Sequence, residues 1–281
     1  MKLARLGPAG HEIPAVSADG DTWFDLRPVT ADVDAQLLRT GLADVRAALA
    51  HGSLEKVPAV DRFGPPLARP GKIVCIGLNY RDHAAETGAG IPPEPVMFLK
   101  TPDTVVGPQD TVLVPRCSTK TDYEVELAVV IGSQARYLDS PVAAVGCVAG
   151  YAISHDVSER EFQTERGGQW DKGKNCETFN PFGPWISTAD EVEDPQRLGL
   201  RLWVNGEVRQ DGNTRDMIFD VAHVVWYLSQ FMVLRAGDVI NTGTPAGVAM
   251  GRPDTPYLRA GDVVELEIDG LGRQRQTLGQ A

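Results

Sequence analysis

The sequence has 281 residues, with 27 lysines and arginines against 38 aspartates and glutamates, so its formal net charge is −11. Proteins that bind nucleic-acid phosphates or anionic membrane surfaces usually carry a basic surplus, and this charge argues against both partners. Hydrophobic residues make up 42% of the chain and charged residues 23%, which excludes a wholly disordered protein.

The first 57 residues combine a strand-like piece, Thr22 to Leu26, with a stretch of helical periodicity from 31 to 50. A Pro- and Gly-rich linker follows from 57 to 72, and the sequence therefore predicts a small N-terminal α+β domain over 1–65 and a larger domain over 66–281. The N-terminus lacks the apolar core of a signal peptide, and no segment reaches the roughly 20 apolar residues of a membrane span. We expect a cytoplasmic protein whose four cysteines, which form no CxxC pair, are reduced and buried.

A short strand is predicted at 73–78, and a two-turn helix capped by Asn79 follows it over 79–88. In such a helix His83 and Glu86 lie at i and i+3 on one face, where Glu86 could orient a His83 base. On the residues alone, an exposed His/Glu pair is the simpler interpretation. The Gly- and Pro-rich stretch after this helix (GAGIPPEP) would suit a lid over a site.

The densest acidic segment is 122–130 (DYEVELAVV), which we predict to be a strand. The period of two then places Asp122, Glu124 and Glu126 on one face. An exposed polar face is the ordinary interpretation of this pattern. The alternative is a site for a hard cation, because neighbouring carboxylates repel each other unless a cation or a proton lies between them.

A further carboxylate follows the apolar segment 150–156 (GYAISHD), which ends in His155 and Asp156. Ser158 and Glu161 come just after it and match a capping box, which predicts the start of a helix. At such a junction Asp156 could point into a cleft, although capping of the helix is the simpler role.

The remainder of the chain contains more short strands, at 96–99, 201–204 and 239–242. Apolar residues repeat at helical spacing from 218 to 234 and predict one long helix. In the segment 263–268 apolar and acidic residues alternate, which is typical of a strand with one buried face. With 29 glycines, 20 prolines and few helices, the chain is predicted to be α+β and mainly β.

Two familiar catalytic motifs have no complete match in the sequence. The GxxxxGK at 168–174 lacks the Ser/Thr that should follow it and has no apolar strand in front, which argues against a phosphate-binding loop. The nucleophile motif GxSxG does not occur, so an esterase is not favoured.

Taken together and in this order, five segments resemble the fumarylacetoacetate hydrolase family: 77–83 (GLNYRDH), 122–127 (DYEVEL), 155–156 (HD), 173–174 (GK) and 242–247 (TGTPAG). The resemblance spans about 72 to 267. It implies a mixed β-sandwich roll that is usually homodimeric. It also implies a bound Mg²⁺ or Mn²⁺, and Ca²⁺ is a further candidate because the same oxygen ligands suit it.

The resemblance also implies a role for each of nine residues. It makes Glu124, Glu126 and Asp156 the metal ligands; His83 and Glu86 the water-activating dyad on a lid; Lys174 the electrophilic lysine; and Arg160, Gln163 and Thr244 the substrate-binding residues. Among these, four acidic residues face two basic ones, a formal charge of −2 without metal. We therefore expect binding of an anionic keto acid to require the metal.

The function implied by the resemblance is metal-dependent hydrolysis of a carbon–carbon bond in a 2,4-diketo acid, which releases pyruvate through a metal-stabilised enolate. The substrate would be an acylpyruvate or a 2,4-diketo-3-deoxy sugar acid, and the stretch 166–174 looks most like members that act on fuconate or rhamnonate derivatives. The same site could serve an oxaloacetate decarboxylase or a keto-acid isomerase. A binding protein stabilised by a cation is the alternative outside enzymes.

Overall fold

The computed structural model describes residues 1–58, 60–252 and 254–281. Strands account for 33% of the residues and helices for 21%, so the predicted α+β, mainly β class is confirmed. Across these described ranges, no helix is long and apolar enough to cross a membrane.

The strands are β1 (Lys2–Leu6), β2 (Ile13–Ser17), β3 (Phe24–Asp25), β4 (Ile73–Gly77), β5 (Val96–Lys100), β6 (Val105–Val106), β7 (Val112–Val114), β8 (Thr121–Asp122), β9 (Val125–Ile131), β10 (Val148–His155), β11 (Ser158–Glu159), β12 (Asn180–Thr188), β13 (Gly199–Val204), β14 (Glu207–Asn213), β15 (Val239–Asn241), β16 (Val263–Ile268) and β17 (Gly272–Gln280). The α-helices are α1 (Leu42–His51), α2 (Arg81–Glu86), α3 (Pro141–Val145), α4 (Asp171–Lys174) and α5 (Val221–Ser229). Single π-helical turns form at Leu37–Gly41 and Glu161–Glu165, and 3₁₀ turns form at Pro102–Thr104, Ala189–Glu191, Thr214–Asp216 and Ala249–Gly251.

Two sheets pack against each other. The larger has the order β3-β2-β1-β12-β10-β9-β15-β4-β5, with β6 beside β12. It is mixed, because β15 runs parallel to β4 and β12 parallel to β6 while the other neighbours are antiparallel. The second sheet, β14-β13-β16-β17-β7, packs against β9, β10 and β12 of the first, and β8 pairs with β11 in a small ribbon. This is the mixed β-sandwich roll that the resemblance implies.

Strand β9 lies near the middle of the larger sheet and is covered on both faces. Leu127 and Val129 pack into the core between the two sheets, whereas Ala128 and Val130 pack into a second core on the side of α1. All seven residues of β9 are buried. A strand buried on both faces is normally apolar throughout, so the carboxylate of Glu126 in this strand requires a partner that offsets its desolvation.

Strands from both sides of the predicted domain boundary at 65 belong to the larger sheet. β1 pairs antiparallel with β12, with Lys2 opposite Ser187 and Leu3 opposite Ile186. The division into 1–65 and 66–281 stays a prediction.

The alternation predicted for the segment 263–268 is confirmed in β16. In β16, Val264, Leu266 and Ile268 are fully buried, while Glu265 and Glu267 on the other face are partly exposed. The buried residues pair across to β13, where Leu202 lies opposite Leu266. Cross-strand apolar pairs of this kind fix the register of a sheet.

The helix predicted over 218–234 is shorter than expected. α5 begins after Asp220, whose side chain accepts a hydrogen bond from the backbone N–H of His223 at 2.7 Å. It ends at Ser229, because the backbone N–H of Tyr137 donates to the carbonyl of Ser229 at 2.8 Å. A distant segment thus satisfies the carbonyl that a longer helix would have bonded internally.

Two predicted helix caps are wrong. The side chain of Asn79 donates to the carbonyls of Phe219 at 3.0 Å and Thr242 at 2.8 Å instead of capping α2. Ser158 lies in β11, and its hydroxyl donates to the carbonyl of Asp156, so no capping box forms. In both cases tertiary contacts compete successfully with the local capping bond.

The prediction that all four cysteines are buried is wrong at two positions. All four cysteines are free, Cys75 and Cys147 are buried and Cys176 is half-buried, but Cys117 is exposed.

Candidate active site

The candidate site lies where central strands of the larger sheet end. β10 ends at His155 and β15 at Asn241, and both run antiparallel to β9, which begins at Val125. The ends of β10 and β15 therefore flank the start of β9. This arrangement brings Asp156, which follows β10, close to Glu124, which precedes β9.

Three carboxylates meet at this place. Glu124, Glu126 and Asp156 expose 5%, 2% and 0% of their surface, and one oxygen from each lies within 4.8 Å of the others. The exposed polar face that the strand pattern favoured is therefore wrong. Strand pairing also breaks at Tyr123 and Glu124, between β8 and β9. Three converging carboxylate oxygens are the donor set that Mg²⁺, Mn²⁺ or Ca²⁺ prefers, so these residues fit a divalent cation.

Glu124 and Glu126 differ in how far neighbouring positive charges offset the cost of burying a carboxylate. Burial, with the negative charges of Asp156 and Glu124, raises the pKa of Glu126 well above its ordinary value. Burial also opposes the ionisation of Glu124, but Lys174 and Arg160 outweigh it and lower the pKa of Glu124 to about 2. A bound cation would therefore stabilise the charge of Glu126 more than that of Glu124.

Two predicted site residues supply buried positive charge. The Nζ of Lys174 lies 2.8 Å from Oε2 of Glu124 and 2.8 Å from Oδ2 of Asp156. Arg160 donates from Nη2 to Oε1 of Glu124 at 2.6 Å and from Nε to Oδ2 of Asp122 at 2.8 Å. Asp122 therefore anchors Arg160 instead of joining the carboxylate cluster.

Lys174 reaches the cluster because α4 lies very close to the preceding segment, which consists of β11 and the π-helical turn Glu161–Glu165. A Cβ placed on Gly173 would lie 2.3 Å from the carbonyl oxygen of Glu159 and 2.6 Å from the backbone nitrogen of Gln163. Only glycine permits this approach. Gln163, from the same turn, accepts a hydrogen bond from Nη1 of Arg160 at 3.0 Å.

Lys100, at the end of β5, is a buried cation that the sequence reasoning missed. It is 2% exposed, and its Nζ donates to Oδ1 of Asp156 and, at 3.0 Å, to the carbonyl of Val157. A signal was present in the sequence, because the period of two places Lys100 on the same face of β5 as buried Phe98. A lysine on a buried face nearly always has an acidic partner.

We expect Lys100→Met to destabilise the protein. The change leaves Asp156 with one of its two buried cations, and breaking a buried ion pair typically lowers the free energy of unfolding by about 3–5 kcal/mol. Urea denaturation measures the loss, with exposed Lys172→Met as the matched control. A loss below about 1 kcal/mol would contradict the assignment.

His83 and Glu86 form the pair expected on α2, with 3.4 Å between Nδ1 and Oε1. Their side chains are 7% and 11% exposed, so the interpretation as an exposed surface pair is wrong. The backbone N–H of Gly247 donates to both oxygens of Glu86, at 3.0 and 2.8 Å. Burial raises the pKa of Glu86, but hydrogen bonds from His83, Gly247 and Arg252 outweigh it and leave the pKa below its ordinary value.

Thr244 follows β15 and is 4% exposed. Its hydroxyl donates to the carbonyl of Val125 at 2.9 Å and accepts from Nε2 of Gln210 at 2.8 Å. These bonds fix the segment after β15 against the start of β9. In the same segment, the N–H of Gly243 donates to Glu126 at 2.9 Å.

A cavity of about 180 Å³ opens over the carboxylates. Its lining includes seven of the nine predicted site residues: His83, Glu124, Glu126, Arg160, Gln163, Lys174 and Thr244. The other two contact members of this lining, since Asp156 binds Lys174 and Glu86 binds His83. The structure therefore brings all nine together.

The structure combines a β-sandwich roll with buried carboxylates, a lysine and a His–Glu pair around a small cavity. These features define a class of enzymes that act on small molecules and whose acidic residues could hold a divalent metal. The family profile described as "Fumarylacetoacetate (FAA) hydrolase C-terminal" matches residues 72–279, and the chain belongs to this family.

Three similar proteins cover essentially the whole chain. A protein of Burkholderia cenocepacia, provisionally named a hydrolase, is 49% identical over the full length of both chains. The structure of maleylpyruvate hydrolase from Sphingobium sp. SYK-6, in complex with manganese(II) and pyruvate, is 30% identical over both full lengths, with a TM-score of 0.84. A structure from Mycobacterium abscessus, described as a probable 2-hydroxyhepta-2,4-diene-1,7-dioate isomerase, is 34% identical, covers all of this chain and 99% of its own, and has a TM-score of 0.84.

Proposed function

We propose that this protein hydrolyses the C3–C4 bond of a 2,4-diketo acid of the acylpyruvate type and releases pyruvate and a carboxylic acid. One observation carries the proposal: His83, which contacts Glu86, lines the same small cavity as Glu124 and Glu126, and Asp156 lies beside these two carboxylates. A base positioned beside a cation site is what activation of water next to a bound keto acid requires.

The cluster would hold Mg²⁺ or Mn²⁺, and the manganese and pyruvate of the Sphingobium relative support this choice. When bound, the ion would act as a Lewis acid toward the keto-acid oxygens. Lys174 adds a fixed positive charge between Glu124 and Asp156, close to where negative charge develops as the C3–C4 bond breaks. Arg160 and Gln163 line the same cavity and would orient the substrate.

His83 would act as the base. Because Nδ1 faces Glu86, Nε2 is the nitrogen left to accept a proton from water. The hydroxide adds to the C4 carbonyl, the C3–C4 bond breaks and its electron pair stays with the pyruvyl fragment. A proton then reaches C3, so that one water is consumed for each pyruvate and each carboxylic acid released.

A keto-acid isomerase is the second candidate, favoured by the likeness to the Mycobacterium abscessus structure. Isomerisation moves a proton and needs no attacking water. An oxaloacetate decarboxylase and a binding protein stabilised by a cation are the remaining alternatives from the sequence.

Product analysis separates these candidates. We expect the Mn²⁺-loaded protein to convert an acylpyruvate to equimolar pyruvate and carboxylic acid. The panel also includes a 2,4-diketo-3-deoxy sugar acid, oxaloacetate and 2-hydroxyhepta-2,4-diene-1,7-dioate. Turnover of oxaloacetate alone, or isomerisation without cleavage, would overturn the proposal, and the absence of any turnover would favour the binding protein.

The homodimer and the cytoplasmic location implied by the sequence remain part of this proposal. Light scattering of the purified chain measures the first, and cell fractionation measures the second.

A further inference from the structure

The cavity over the carboxylates is lined by apolar side chains as well as by the polar residues described above. The apolar part of the lining consists of Ile76, Leu78, Ala89, Phe98, Trp170 and Met250. The cavity has a volume of about 180 Å³, which lies below the roughly 300–1,000 Å³ of pockets for drug-sized ligands. A cavity of this size suits a small acid.

Trp170 is held in place as a wall of this cavity. Its ring lies 5.7 Å from that of Phe98 in an edge-to-face arrangement. A Cβ placed on Gly77 would lie 2.5 Å from Cζ3 of Trp170, so the indole rests directly on the backbone at the end of β4. The Nζ of Lys174 lies 4.9 Å from the centre of the Phe98 ring, which makes the apolar wall continuous with the charged part of the site.

The cationic side chains of the lining lie at the carboxylate cluster, where the keto-acid end of the substrate is proposed to bind. Arg160 binds Asp122 and Glu124, and Lys174 binds Glu124 and Asp156. Among the cavity-lining residues of the described chain, these are the only lysine and arginine. A second carboxylate on the substrate would lose its hydration without gaining a cation of its own.

The hydroxyl groups of the lining are also engaged. Thr87 donates to the carbonyl of His83 at 2.9 Å, and Thr164 donates to that of Arg160 at 2.9 Å. Thr244 donates to the backbone as well. The hydroxyl hydrogens of these three threonines are therefore already used and are not free for a polyhydroxylated substrate tail.

We infer that the acyl group of the substrate is an uncharged hydrocarbon group, and that Met250 helps to set this specificity. The inference rests on the proposed acylpyruvate hydrolysis and narrows it to alkyl acylpyruvates. It disfavours the sugar acids suggested by the sequence and substrates such as maleylpyruvate, whose acyl group carries a second carboxylate.

The test compares kcat/KM for butanoylpyruvate and succinylpyruvate, whose four-carbon acyl groups differ by a terminal methyl against a carboxylate. We expect the Mn²⁺-loaded protein to prefer butanoylpyruvate at least about tenfold, because the carboxylate enters without a counter-ion. Succinylpyruvate hydrolysed equally well or better would overturn the inference and leave the proposed function intact. Cleavage of the 2,4-diketo-3-deoxy sugar acid in place of both compounds would also overturn the inference, and hydrolysis of none of the three would overturn the proposed function itself.

A substitution of Met250 tests the same inference independently. Met250→Lys places a cation at the cavity and should shift the ratio toward succinylpyruvate at least about tenfold. Met97→Lys is the matched control, because Met97 is 40% exposed against 37% for Met250 but does not line the cavity. An unchanged ratio in folded Met250→Lys, checked by circular dichroism, would overturn the assignment of Met250.

Discussion

His83→Ala should lower kcat for acylpyruvate hydrolysis by about 10²- to 10⁴-fold, the usual cost of losing a general base. His83 is the imidazole that lines the cavity, and Glu86 contacts its Nδ1 at 3.4 Å. The change removes the proton acceptor but none of the three clustered carboxylates. We therefore expect the KM and the affinity for Mn²⁺ to change little.

His11→Ala is the control for this experiment, since His11 is exposed and lies outside the cavity lining. Oxaloacetate decarboxylation, if present, should fall less than hydrolysis in His83→Ala, because it requires no activated water. Equal losses of both reactions would show that His83 does not act on water. Hydrolysis that persists within about threefold of the original rate would refute its role as the base.

Removing the divalent metal should abolish the binding of oxalate, a compact dianionic analogue of the keto acid. Glu86, Asp122, Glu124, Glu126 and Asp156 carry five formal negative charges, and Lys100, Arg160 and Lys174 return three, which leaves −2. The sequence-based count of −2 lacked Asp122 and Lys100, whose charges cancel. A chelated site therefore repels an anion, and a divalent cation removes that excess negative charge.

Calorimetry of the chelated and Mn²⁺-loaded protein measures this effect. The free energy of unfolding of Glu126→Gln, measured with and without Mn²⁺, is a second readout that does not depend on turnover. Without metal the variant should be at least as stable as the original chain, because it removes a carboxylate whose ionisation burial and its neighbours oppose. With Mn²⁺ it should lose most of the stabilisation that the original chain gains, about 2.7 kcal/mol at a hundredfold excess over Kd.

The exposed Glu193→Gln is the matched control and should keep the full Mn²⁺ stabilisation. Equal binding of oxalate by the chelated and loaded protein would refute the view that the metal organises the site. A Glu126→Gln variant stabilised by Mn²⁺ as strongly as the original chain would exclude Glu126 as a ligand.

Sequence periodicity correctly predicted those elements whose formation depends on residues close together in the chain. The alternation in β16 and the position of α2 required only periodicity and turn residues, and both are found in the structure. The end of α5 was mispredicted because Tyr137, far away in sequence, bonds the carbonyl of Ser229. Asn79 has good capping chemistry, but Phe219 and Thr242 offer its amide buried partners.

The sequence by itself determined which chemical groups are available and in what order: the acidic pair before and within β9, the aspartate after β10, the His–Glu pair on α2 and the lysine of α4. Only the tertiary structure decided how these charges are balanced. Lys100 and Asp156 are 56 residues apart, and Arg160 and Asp122 are 38 apart. Ion pairing and pKa depend on distance and burial in three dimensions. A local pattern can place Lys100 on a buried face, but it does not encode which distant residue pairs with it once separate strands pack together.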